Sequence, residues 1–74
     1  MFAVQYNFFG SVSHDAMHAA DIVASAMEAH QLCDLKDAGV IAMALEILGD
    51  TWDKKSLFAV LDGCSFEAIE ASHV

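Results

Sequence analysis

The 74-residue chain has no arginine and no proline, only three lysines and only two cysteines. Arginine supplies the planar fork that grips phosphate and guanine, and nucleic-acid binding needs clustered positive charge. Here eleven carboxylates stand against three lysines, for a formal charge of −8. Direct nucleic-acid binding is therefore not expected, and an anionic membrane surface is disfavoured for the same reason. A partner steered by charge should be basic. With 57% hydrophobic residues and no proline, the composition is unlike that of a disordered tail. Cys33 and Cys64 allow at most one bridge, too few for the disulfide scaffold of a small secreted domain. Two thiols in a reducing compartment fit equally well, and a cytoplasmic location is expected. No apolar run approaches the roughly 20 residues of a membrane span. The opening "MFAVQYNFFG" lacks the basic flank and long apolar stretch of a signal peptide.

Chemical motifs are scarce too. There is no CxxC, no glycine-rich phosphate loop and no serine on a nucleophile elbow. Ser11, Ser13 and His14 adjoin in sequence, but a triad needs a base in reach and an oxyanion hole. A chain this short also offers little room for an enzyme-sized cleft. The expectation is a non-catalytic protein with no cofactor.

What is present is alternation and helical periodicity. From Phe2 to Phe9, Phe2, Val4, Tyr6 and Phe8 fall on one side and Ala3, Gln5 and Asn7 on the other, a strand or extended arm closed by Gly10 and Ser11. The only candidate partner strand the pattern offers is "SLFAVL", Ser56 to Leu61. Ser13 suits an N-cap, and the spacing predicts a helix over 14–32. Its polar arc holds His14, His18, Asp21, Ser25 and Glu28, and its broad apolar arc holds Ala16, Ala19, Ala20, Ile22, Val23, Ala26, Met27, Ala29 and Cys33. Asp34 can cap a second helix over 35–48, almost wholly apolar and closed by Gly49. A third helix over 52–62 follows Asp50 or Thr51, and Ser65 with Glu67 suggests a short last helix over 66–73. The predicted fold is a single mainly α domain over 1–74. It is a small antiparallel helical bundle, a helical hairpin plus one or two short helices, with the N-terminal strand or arm, completed by homodimerisation.

The dimer follows from surplus apolar surface. A domain this small buries only about 60% of its unfolded surface. Two helices apolar over most of their circumference cannot cover one another, and a twofold partner is the commonest remedy. The expected core and dimer contacts are Ile22, Val23, Met27, Val40, Ile41, Met43, Leu45, Ile47 and Leu48. Ala42 and Ala44 lie about 160° apart on the second helix, at 100° per residue, so at least one should meet another helix closely.

For function, the leading expectation is a protein-binding adaptor or inhibitor whose partner offers a basic or hydrophobic surface. Phe2, Val4, Tyr6, Phe8 and Trp52 are the candidate contacts, since aromatic residues dominate interface energetics. A first alternative is a metal-responsive regulator. His14, His18 and Asp21 share a helix face at i, i+4 and i+7 and form a zinc-compatible donor set, though without a fourth ligand or the glutamate of HExxH. The plainer reading is a solvated polar face. A second alternative is an acidic mimic of nucleic acid that occupies a basic protein, although the carboxylates are scattered rather than arrayed in rows. His30 and Cys33 are read as structural.

Overall fold

The computed structural model describes residues 2–32 and 37–70. The elements run β1 (Phe2–Phe8), α1 (His14–Ala29), α2 (Ala38–Leu48), α3 (Lys54–Leu61) and β2 (Cys64–Glu70). The two strands, from opposite ends of the chain, pair antiparallel with Val4 opposite Ala68, Tyr6 opposite Phe66 and Phe8 opposite Cys64. The protein is therefore mixed α/β, with three helices and a two-stranded sheet among the described residues, and not a mainly α bundle carrying an unpaired arm.

This correction centres on "CSFEAIE". The expected short helix over 66–73 is replaced by β2 through Glu70; residues 71–74 lie outside the described part. Ser65, Glu67 and two alanines imitate a helix start. The segment also alternates: Cys64, Phe66 and Ala68 are half-buried while Ser65 and Glu67 are exposed. Strand preference depends mainly on cross-strand and same-face packing, and β1 supplies both. The Tyr6 ring packs on Phe66 at 6.2 Å and edge-on to Phe8 at 6.0 Å. "SLFAVL" is not the partner strand. It forms most of α3, because the Asp53 carboxylate accepts from the Ser56 N–H at 2.7 Å and starts a helix there. β1 thus finds its mate within the chain and needs none from a second copy.

The helices begin on acids and hydroxyls, as N-caps require. The Ser13 hydroxyl accepts from the Ala16 N–H at 3.1 Å. Asp37 Oδ1 accepts from Gly39 and Val40 at 2.9 and 3.3 Å and starts α2; the predicted Asp34 cap and residues 35 and 36 fall outside the described residues. α1 stops at Ala29, short of the expected Leu32. Gln31 takes a left-handed φ of 54°, its N–H donates to the Glu28 carbonyl, and the Leu32 N–H donates to the Met27 carbonyl. This is a Schellman ending built on a glutamine where glycine is usual.

α1 packs on β1, α2 and α3. Ala19, Ala20, Val23 and Met27 of α1, Val40 and Ala44 of α2 and Leu57 of α3 are fully enclosed, with Val4, Ile41 and Leu61 nearly so. The alanines let the α1 and α2 backbones approach closely. Of the expected core, Val23, Met27, Val40 and Ile41 are buried, Ile22, Met43, Leu45 and Leu48 are half-buried, and Ile47 is exposed.

Glu28 has a task that the polar arc of α1 did not suggest. Its carboxylate accepts from the Val4 N–H at 2.8 Å, satisfying an amide that points away from β2. Glu28→Ala should lower stability by about 1.5–3 kcal/mol, the scale of a hydrogen bond to a charged group. Glu28→Gln, which keeps an acceptor, should recover part of that loss. Urea unfolding of the three proteins measures it, and equal midpoints would show that the bond contributes nothing.

Candidate functional site

An apolar concavity lies between α2 and α3. Ala38, Ala42 and Leu45 form an i, i+4, i+7 stripe on α2, Ile41 lies beside it, and Phe58 and Lys54 close the groove from α3. Its volume is about 590 Å³. Ala42 is exposed, and Leu45 and Phe58 are half-buried. The groove exists because α2 is apolar nearly all round while only the arc through Val40, Ile41 and Ala44 is buried. The Lys54 ammonium sits 5.9 Å from the centre of the Phe58 ring, a cation–π contact that holds this charge at the groove wall. Acids border it in sequence: Asp37 caps α2, Glu46 is exposed beyond Ala42, and Asp53 caps α3.

The Ser56 backbone N–H, followed by the Ser56 hydroxyl, holds the Asp53 carboxyl below its ordinary value. A folded-state value below the unfolded one stabilises the protein above the usual carboxylate range, and that stabilisation is lost as pH falls through the lowered value. Asp53→Asn keeps a capping oxygen but no charge. Its melting temperature should lie below that of the wild type at neutral pH, and the gap should close on acidification. A gap that is constant with pH would rule out the charge as its source.

A second hollow of about 600 Å³ is more polar, lined by Ser13, Asp15, Thr51, Trp52, Ser56 and Val60. Trp52 is half-buried there. The other candidate contacts sit elsewhere. Val4 is buried, and Tyr6 and Phe8 are half-buried on the helix-facing side of the sheet; the side chain of Phe2 lies outside the description. Phe9, just beyond β1, is the most exposed large apolar residue among the described ones at 79%. Tyr6, Phe8 and Trp52 all pack, partly buried, against the same core cluster. The groove residues Ala38, Lys54 and Phe58 were not singled out as contacts from the sequence, and Ala42 was singled out only as an alanine that another helix could approach. The signal for them was present: a stripe of small and apolar residues on α2, and a lysine one turn before a phenylalanine on α3.

His14, His18 and Asp21 are all exposed on the outer face of α1. Among the described residues no group of three or more His, Cys, Asp or Glu side chains is placed to hold a metal ion. Cys64 is a free, half-buried thiol, pushed above its ordinary value by burial, which favours the protonated form at neutral pH. Cys33 lies outside the described residues. Among the described residues no helix is long and apolar enough to cross a membrane.

The chain matches no protein-family model, no curated protein and no solved structure.

Proposed function

We propose that this protein works by binding another protein, as a non-catalytic adaptor or inhibitor, and that the α2–α3 groove receives apolar side chains of its partner. The observation that carries this reading is the groove itself: five apolar residues from two helices, open to solvent, on a surface otherwise rich in carboxylates. A concave apolar patch bordered by polar groups is the usual form of a contact site. The acidic surroundings favour a partner whose apolar contact is flanked by lysine or arginine.

Ala42→Lys tests it. Ala42 is exposed, so the substitution places a long charged chain in the groove without disturbing the core. Ala59→Lys, on the exposed side of α3, is the control. Chemical cross-linking in the native host should yield a product with the wild type and Ala59→Lys that Ala42→Lys loses. Cross-linking that is indifferent to Ala42→Lys would remove the groove from the proposal. Sedimentation of the purified proteins reads the homodimer separately: a wild-type dimer that Ala42→Lys converts to monomer would make the occupant a second copy.

A further inference from the structure

The two edges of the sheet are finished differently. The Phe9 N–H donates to the Gly63 carbonyl at 3.0 Å, while the Val4 N–H turns away from β2 to Glu28. Antiparallel ladders alternate residue by residue, so the odd positions of β1 bond to β2 and the even positions face the other edge. Through the register Asn7–Ser65, Gln5–Glu67 and Ala3–Ile69, the odd positions of β2 bond back. The amides and carbonyls of Cys64, Phe66 and Ala68 therefore point outward along the far edge of β2. On β1, α1 packs on the strand and Glu28 meets the outward Val4 amide, while among the described residues no hydrogen bond reaches the outward amides of Tyr6 and Phe8. On β2, among the described residues, no hydrogen bond reaches the outward amides. An unprotected edge is a template for another strand, and a sheet of only two strands is marginal by itself.

We propose that the outer edge of β2 takes up an extended basic segment of another protein as a third strand. The chemistry of the two faces selects that occupant. Toward the helices β2 shows Cys64, Phe66 and Ala68, so an added strand places apolar side chains beside Phe66. On the opposite face the central residue is the exposed Glu67, and the exposed Asp62 precedes the strand. Lysine or arginine next to Glu67 gives the favourable cross-strand pair. The segment recognised thus alternates apolar and basic residues. A second copy of this chain is the poorer occupant, because it brings its own Glu67 and a further charge of −8 to the same edge. This surface is separate from the α2–α3 groove. Ala42→Lys alters the groove and leaves β2 intact, so failure of either proposal is distinguishable from failure of the other.

The probe is a capped peptide alternating lysine and valine, as long as the seven residues of β2, titrated against the full chain by calorimetry. A glutamate–valine peptide should not bind. Two further lysine–valine peptides carry backbone N-methyl groups on every valine or on every lysine. One should lose binding entirely and the other should retain it, since only one alternating set of amides can face β2. Ala68→Pro removes an outward amide that the β1 ladder does not use, a position where an edge strand tolerates proline, and should abolish binding. Glu67→Lys should weaken it about fivefold, the scale of an exposed ion pair. Equal binding of the two methylated peptides, or undiminished binding by Ala68→Pro, would overturn the proposal. So would a wild-type dimer that Ala68→Pro dissociates, because the occupant would then be a second copy. Should Ala68→Pro fail to fold, the methylated peptides decide the matter on the wild-type protein.

Discussion

Met27→Ala is expected to lower the unfolding free energy by about 2–5 kcal/mol, the range for emptying a buried large side chain, whereas Met17→Ala should stay within about 0.5 kcal/mol. Both methionines lie on α1, ten positions apart, and local helix propensity treats them alike. Met27 is fully enclosed and Met17 is 44% exposed. Met27 belongs to the core cluster that draws on β1, α2 and α3, and small alanines flank it on its own helix. Alanine side chains cannot move into the space it would leave, so the cavity persists. A domain of this size has only about 5 kcal/mol of stability in all, so Met27→Ala should keep about 0–3 kcal/mol of it, with about half of the molecules unfolded at the upper end of the loss. Denaturant titration with circular dichroism checks the pair, and similar midpoints for the two variants would contradict the packing described here.

The second large effect concerns two alanines two residues apart. Ala44→Leu should cost about 1–3 kcal/mol by overpacking, and Ala42→Leu should be nearly neutral. Ala44 is completely enclosed in the core where α2 meets α1, and Ala42 is exposed at the groove. Periodicity alone predicts that these residues face opposite ways without saying which one faces in. Leu45 illustrates the same ambiguity. The apolar character of α2 suggests a buried Leu45, yet it is a half-buried groove residue, and Leu45→Ala should cost less than Met27→Ala. Thermal melts of Ala42→Leu and Ala44→Leu at matched concentration measure the difference; equal loss in both would mean that Ala42 too is covered in solution, by a second copy.

Several features of the site and fold could be read along the chain because their causes are local. Ser13 starts a helix because its hydroxyl reaches an amide three residues ahead. Gly49 ends one because its φ of 89° suits glycine. The alternation of Phe2 to Phe8 puts Val4, Tyr6 and Phe8 on one face in any strand. Other features had no local trace. Gln31 ends α1 in a left-handed conformation usually given to glycine or asparagine, so nothing in its identity marks the stop. The Glu28 carboxylate looks like any solvated side chain on a polar arc until β1 lies beside it.

The sequence by itself determined the acidic surface, the absence of any motif for nucleic acid or catalysis, the helix start at Ser13, and the facing of β1. Those properties depend on composition or on atoms within a few residues of one another. Only the tertiary structure decided that Cys64–Glu70 is a strand, that Glu28 meets the Val4 amide at one sheet edge while among the described residues no hydrogen bond reaches the outward amides of β2, and which side of the apolar α2 becomes a groove. Local preferences for a seven-residue segment such as β2 differ by little, and its strand form is selected by Tyr6, Phe8 and Val4 from the far end of the chain. A helix apolar on every side likewise carries no record of which face its neighbours cover; that is settled when the helices pack, and the uncovered remainder forms the groove.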